Sequence, residues 1–82
     1  MKIEDFLEFY RRNKTEFSVD GDTNIEIYGY SSIYQYKDGT VSWLRKMSTL
    51  EDREFNMPNT FACVITQKKV ARIPNAECQI WV

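Results

Sequence analysis

The chain has 82 residues, 15% of them aromatic, and a formal net charge of −1. This near-neutral charge argues against nonspecific binding to DNA or to an anionic membrane surface. The sequence contains no histidine, which removes the commonest general base, the Ser–His and Cys–His nucleophile pairs and most zinc sites. We therefore expect a protein that is not an enzyme and that holds no cofactor or metal.

The length corresponds to one domain, and large rings can close a core of this size without metals or crosslinks. Met1 is followed by charged residues rather than by an apolar run. The expectation is a single domain over residues 1–82 that resides in the cytoplasm and makes no membrane contact. Two cysteines are too few for a disulfide framework, so we expect Cys63 and Cys78 to be buried free thiols.

The first predicted element is an amphipathic helix near the N-terminus. Its apolar positions follow the i, i+3, i+4, i+7 spacing of one helical face: Ile3, Phe6, Leu7 and Tyr10. Residues 20–22 are interpreted as a solvated turn after this helix. A calcium loop starting there would need a glycine where Ile25 stands and a glutamate where Ser31 stands.

Two further segments predict strands before residue 45. Residues 24–30 alternate between apolar and polar positions, which is the period of a half-buried strand. Residues 33–44 carry Asp38-Gly39 at their centre, and this pair predicts a hairpin with a type I′ turn because both residues accept positive φ. The predicted register places four side chains on one face of the hairpin, beneath the helix: Tyr34, Tyr36, Val41 and Trp43.

The C-terminal half predicts a short helical turn over residues 48–54 and strands over residues 61–66 and 77–82. Residues 70–73 form either an extra edge strand or a loop with Val70-Ala71 at its apolar tip. The last strand is predicted to have one apolar and one polar face. The predicted fold is thus α+β, with the N-terminal amphipathic helix packed on one face of a four- or five-stranded antiparallel sheet.

Exposed aromatic rings form the first candidate partner-binding site. Tyr28, Tyr30 and Trp81 alternate with polar neighbours, so at least one of these rings is expected to face solvent. Tyrosine and tryptophan are enriched in protein interfaces because they combine a large contact area with one polar atom. These three residues are therefore the aromatic candidates for contact with a partner.

A basic turn is the second candidate site. Lys68, Lys69 and Arg72 lie between the last two predicted strands, and Arg45 and Lys46 are possible additions to this cluster. Cations beside exposed tyrosines suit single-stranded nucleic acid, since rings stack on bases and cations hold phosphates. The competing interpretation is a solvated turn, in which lysine discourages edge-to-edge aggregation.

The leading functional hypothesis is a protein-binding module without catalytic activity. A compact chain with many tyrosines suits a small inhibitor or adaptor of the kind that phages and mobile elements often encode, which occupies a surface of a partner protein. The first alternative is a nucleic-acid-binding module that uses the basic turn and exposed tyrosines. The second is a structural subunit that dimerises through an edge strand, so the sequence leaves monomer and homodimer both open.

Overall fold

The computed structural model describes residues 1–52, 55 and 57–82 and shows, within them, an α+β protein with one α-helix and a four-stranded sheet. The elements follow in this order: helix α1 (Ile3–Arg12), strand β1 (Ser18–Gly21), a first 3₁₀ turn (Ile33–Gln35), strand β2 (Val41–Leu44), a second 3₁₀ turn (Met47–Thr49), strand β3 (Cys63–Thr66) and strand β4 (Cys78–Trp81). In the described part of the chain, no helix is long and apolar enough to cross a membrane.

The four strands form a mixed sheet in the order β1-β4-β3-β2. β1 pairs with β4 in antiparallel orientation, whereas β4 pairs with β3 and β3 pairs with β2 in parallel orientation. The prediction of an antiparallel sheet is therefore wrong. The connections from β2 to β3 and from β3 to β4 are long enough for the chain to return before the next strand begins, as parallel pairing requires.

The predicted N-terminal helix is confirmed as α1. Ile3 and Leu7 are almost fully buried, and Phe6 and Tyr10 are partly buried. Ile3 and Leu7 share a core cluster with residues of three strands: Val41, Cys63, Ile65, Cys78 and Ile80. The four positions that the helical spacing marks as apolar are thus the ones that α1 directs into the protein.

The opposite face of the sheet has a second core cluster. Phe61, Val64 and Ile73 are its most deeply buried members, together with Leu44 of β2. β3 is therefore buried on both of its faces, which is usual for a parallel strand. The polar outer face predicted for the last strand is wrong, because the chain between β3 and β4 covers Gln79 completely.

Gln79 is buried with all of its amide groups hydrogen-bonded. Its Oε1 accepts from the Ile73 N–H at 2.6 Å, and its Nε2 donates to Thr66 Oγ1 and to the Ala71 carbonyl, both at 3.1 Å. These bonds hold the connection between β3 and β4 against the sheet. Residues 70–73 form no strand there: Val70 is buried and Ala71 is exposed in a loop.

The predicted hairpin over residues 33–44 is not formed. Its first arm is a 3₁₀ turn, because Ser32 caps it: Ser32 Oγ accepts the Tyr34 N–H at 3.2 Å. Gly39 has a positive φ of 74°, but Asp38 does not, so the turn is not type I′. The local cap prevails over the strand pattern because β2 takes its main partner, β3, from a distant part of the chain.

The aromatic face predicted beneath the helix is also wrong. Tyr34 is 69% exposed, and Trp43 is 36% exposed. Tyr36 packs on the other side of the sheet from α1, with its ring centroid 5.0 Å from that of Phe61. The rings are separated because the 3₁₀ turn directs neighbouring side chains in different directions, unlike a strand.

Strand positions before residue 31 differ from the prediction as well. Residues 24–30 form only isolated bridges, Lys2 with Glu26 and Tyr30 with Val41, although Ile27 is buried as expected. The N-terminal strand is instead β1, which includes two of the residues predicted to be a turn. Of the predicted helical turn over residues 48–54, Arg53 and Glu54 lie outside the described residues.

Tyr36 supports the hydrogen-bonding of the chain that leads into β3. Its hydroxyl accepts the Ala62 N–H at 2.8 Å and donates to the Thr40 carbonyl at 3.5 Å. Burial raises the pKa of Tyr36 above its ordinary value of about 10. The neutral phenol is therefore the form that the fold stabilises.

We expect Tyr36→Phe to lower the free energy of unfolding by about 1 kcal/mol at pH 7, because the buried Ala62 N–H loses its acceptor. Since folding raises the pKa of this phenol, the contribution is complete below about pH 10 and declines as the pH rises further. Urea unfolding of both proteins between pH 7 and pH 11 measures the difference. If the difference in free energy of unfolding between the two proteins stays constant or grows above pH 10, the fold does not stabilise the neutral phenol of Tyr36.

Candidate functional site

A groove of about 490 Å³ opens beside β2, which lies at one edge of the sheet. Its walls come from residues 30–34 and residues 43–49. Rings and positive charges line most of it: Tyr30, Tyr34, Trp43, Arg45 and Lys46. Ile33 and Leu44 also line the groove, and their burial places them at its apolar base.

Tyr30 reaches the groove through pairing of its backbone with the edge of β2. The Val41 N–H donates to the Gly29 carbonyl at 3.0 Å, and the Val41 carbonyl accepts the Ser31 N–H at 3.1 Å. This short parallel bridge fixes the segment while leaving the Tyr30 side chain 70% exposed. The backbone that carries the ring is therefore fixed, while the ring itself faces solvent.

The first 3₁₀ turn places the second ring. Ile33 turns inward and is buried, while Tyr34, the next residue, turns outward. The Tyr34 ring keeps an edge contact with Phe55, with ring centroids 6.3 Å apart. One turn of 3₁₀ helix thus supplies both the apolar base and one exposed wall of the groove.

A buried hydroxyl network holds this wall to β2. Ser31 Oγ lies 2.5 Å from Thr40 Oγ1 and accepts the Lys37 N–H at 3.2 Å. Ser42 Oγ donates to the Ser31 carbonyl at 2.8 Å, and Thr40 Oγ1 donates to the Lys37 carbonyl at 2.6 Å. Satisfied networks of this kind rigidify a loop, because any displacement leaves a buried polar group without a partner.

The groove carries positive charge without compensation from its own lining. Arg45 and Lys46 are exposed, and neither forms an ion pair with any residue that the structure describes. Among the residues that the structure describes, no aspartate or glutamate lines the groove. In a chain whose formal net charge is −1, this is a local basic surface.

The two tyrosines predicted as contacts are both exposed, but only one lines the groove. Tyr28 is 79% exposed, and its N–H donates to the Gly39 carbonyl at 2.9 Å. Its ring lies against Gly39, where a Cβ atom would come 2.9 Å from the Tyr28 Cδ2 atom. Tyr30 is part of the groove, whereas Tyr28 flanks the turn that precedes β2.

The remaining predicted site residues lie toward the other edge of the sheet. Trp81 is half-buried on β4, and its indole N–H donates to the Val70 carbonyl at 2.6 Å. Lys68 pairs with Glu16 at 3.1 Å. Lys69, beside it, is exposed and has no ion pair within the described ranges.

Arg72 is the fourth of these residues, and it is engaged within the protein. Its guanidinium donates to Asp20 at 2.8 Å and to the Ile73 carbonyl at 2.6 Å. The ion pair joins the loop between β3 and β4 to β1. The ion pairs of Lys68 and Arg72 therefore lead toward β1, at the opposite edge of the sheet from β2, and the role of the basic turn as a contact surface stays a prediction.

Two aromatic residues of the groove, Tyr34 and Trp43, were assigned to the core by the sequence. The signal that identifies Tyr34 as exposed is Ser32, two residues before it, because serine at that spacing caps a helical turn. Trp43 carries no comparable local signal. It shares a face of β2 with Val41, but the core cluster around α1 includes Val41 and not Trp43, so its exposure depends on how far that cluster extends along the edge strand.

Cys63 and Cys78 are free thiols with no exposed surface, on adjacent strands of the sheet. Their mutual hydrogen bond, and then burial, raises the pKa of Cys63. Both thiols belong to the cluster that includes Ile3 and Leu7. This location is that of core side chains rather than of a reactive site.

Comparisons of the chain with family models, with curated proteins and with solved structures find no significant match. Within the described residues, no three potential metal-ligating side chains among His, Cys, Asp and Glu lie close enough to hold an ion. Any functional assignment therefore depends on the geometry of the groove itself.

Proposed function

We propose that the protein is a binding module without catalytic activity that docks its groove on a partner protein and acts by occupying the partner's surface. The observation that carries this proposal is the joint exposure of Tyr30 and Tyr34 in one groove with Trp43. Burial of one large apolar side chain contributes about 1.5–3 kcal/mol. Rings that the fold leaves in solvent on a fixed backbone are available to supply this energy to a complex.

Two further features support a protein partner. The hydroxyl network of Ser31 fixes the wall of the groove in advance, which reduces the entropy lost on binding. Arg45 and Lys46 lie next to the rings, where charges increase the rate of association with an acidic surface. An inhibitor or adaptor needs only these properties.

The nucleic-acid alternative rests on the same rings and on the basic turn. Two cations of that turn, Lys68 and Arg72, are paired with Glu16 and Asp20. A phosphate chain would have to compete with these carboxylates, which favours the protein partner. In the other alternative, the subunit dimerises through an edge strand, and the groove beside β2 is then the interface between two copies of the chain.

The test is affinity capture from a lysate of the organism that makes the protein, with and without nuclease. We expect the wild-type chain to retain a protein that resists nuclease, and the double variant Tyr30→Ala/Tyr34→Ala to lose most of it. The matched control is Phe9→Ala, because Phe9 is also a largely exposed ring (59%), on α1. Circular dichroism of each variant checks that the fold is retained.

Several results would contradict the proposal. Material that disappears on nuclease treatment would assign the groove to nucleic acid. Equal capture by the wild type and the tyrosine variant would remove the groove from the interaction. Sedimentation of the pure protein as a dimer that the tyrosine variant dissociates would identify a second copy of the chain as the occupant.

A further inference from the structure

The open edge of β2 gives the groove a second means of recognition besides its rings. Val41 directs both its N–H and its carbonyl away from β3, toward Gly29 and Ser31. The backbone N–H and carbonyl groups of successive strand residues point to opposite sides. Those of Trp43, two residues after Val41, therefore also point away from β3. Within the described ranges neither group of Trp43 has a partner on that side.

The chain leaves this edge at the point where the groove begins. Residues 29–31 follow β2 in parallel, but Ser32 then caps the 3₁₀ turn and diverts the chain from Trp43. The space beside Trp43 is the groove itself. An extended segment in this space continues the path that residues 29–31 begin and meets one free donor and one free acceptor.

We propose that the occupant of the groove is an extended, acidic peptide segment of a partner protein, which adds a short strand to the edge of β2 at Trp43; this inference rests on the proposed function. Strand addition uses main-chain hydrogen bonds for affinity and alternate side chains for specificity. Here the side chains of the segment contact Tyr30 and Tyr34, and its carboxylates lie near Arg45 and Lys46.

Charge favours an acidic segment, and hydrogen bonding favours a peptide over a nucleic acid. The lining residues in the described ranges include two cations and no carboxylate, so acidic side chains are attracted and basic ones are repelled. The free carbonyl of Trp43 requires a donor. A peptide main chain supplies both N–H and C=O groups, whereas a phosphodiester chain supplies acceptors only.

The first experiment selects binders from a phage-displayed library of random dodecapeptides. The targets are the wild type and the charge-reversed variant Arg45→Glu/Lys46→Glu. We expect the wild type to enrich peptides with an excess of aspartate and glutamate, and the variant to lose this enrichment. The matched control is Lys68→Glu/Lys69→Glu, which makes the same charge change on exposed residues of the basic turn and should enrich the same acidic peptides as the wild type.

The second experiment uses the strongest selected acidic peptide in its synthetic, capped form. Its dissociation constant should rise at least about tenfold for Arg45→Glu/Lys46→Glu and change less than about threefold for Lys68→Glu/Lys69→Glu. Hydrogen exchange of the Trp43 amide, measured by NMR, should slow at least about tenfold when the peptide is bound, because the N–H gains an acceptor.

Several outcomes overturn the inference. These are a library without binders, enrichment of basic or uncharged peptides, an unprotected Trp43 amide in the complex, or tighter binding of a fluorescein-labelled 15-nucleotide oligothymidine than of any selected peptide. The proposed function fails separately. If the peptide experiments fail while capture of a nuclease-resistant protein still depends on Tyr30 and Tyr34, the partner presents a folded surface instead of a strand.

Discussion

Gly21→Ala should lower the free energy of unfolding by about 4 kcal/mol, a large part of the stability of a domain of this size. Gly21 ends β1 and pairs with Cys78 of β4. A Cβ atom there would lie 2.1 Å from the Glu77 carbonyl oxygen and 2.8 Å from the Cys78 Cα atom. These are backbone atoms that cannot rotate away. The φ of Gly21, 115°, adds conformational strain for any other residue.

Urea unfolding followed by circular dichroism measures this loss, with Gly29→Ala as the control. Gly29 also has a positive φ, 141°, but no atom lies within 4 Å of the position of its Cβ. Gly29→Ala should therefore lose only the conformational part, about 1–2 kcal/mol. Equal losses in the two variants would show that β1 moves away from β4 at little cost.

Gln79→Leu is the second change with a large expected effect, a loss of about 3 kcal/mol. Leucine preserves most of the volume, so the loss comes from hydrogen bonding. The Ile73 N–H loses its acceptor in a fully buried position, and Thr66 Oγ1 and the Ala71 carbonyl lose their donor. Each buried polar group without a partner costs about 1–3 kcal/mol. Ala71 is exposed, so water replaces part of what its carbonyl loses.

The same denaturation experiment with Gln67→Leu provides the comparison, because Gln67 is exposed at the start of the same loop. That change should alter the free energy of unfolding by less than about 0.5 kcal/mol. Faster hydrogen exchange at the Ile73 amide in Gln79→Leu would locate the loss. A stability equal to that of the wild type would mean that the loop finds other partners when the glutamine is absent.

Elements whose signal is local were predictable from the sequence. Helix α1 follows from the spacing of Ile3, Leu7 and their neighbours, because this spacing gives the helix one apolar face whatever element packs against it. β3 and β4 follow from short runs of apolar and β-branched residues. In each case the residues that form the pattern lie within one or two turns of helix or one strand.

Strand partners and directions were not predictable. Asp38-Gly39 is a strong hairpin signal, yet β2 pairs with β3, which begins many residues later. The cap that Ser32 gives to the 3₁₀ turn is also local, and it competes with the alternation of the same segment. β1 was missed because Asp20 and Gly21 are poor strand residues, and β4 holds them in the sheet from the other end of the chain.

In the candidate site, too, local features were predictable and features that depend on strand pairing were not. Tyr30 was identified because it alternates with polar neighbours, which is a local property. Trp43 was assigned to the core because it shares a face with Val41, but the core cluster around α1 does not extend to it. Arg45 and Lys46 were grouped with the basic turn, but they line the groove beside β2, whereas the ion pairs of that turn lead toward β1. Sequence reasoning thus identified tyrosine and basic residues as candidates for binding, but not which of them the fold brings together in the groove.

The position of β4 also constrains how the chain matures during synthesis. β4 lies between β1 and β3, so residues 78–81 form an inner strand of the sheet although they are made last among the described elements. On the ribosome, β1 has no strand to join until those residues emerge from the exit tunnel. Until then β1 remains unpaired, and the core cluster that Ile3 and Leu7 share with residues of β4 remains incomplete, in the period when a nascent chain depends most on chaperones.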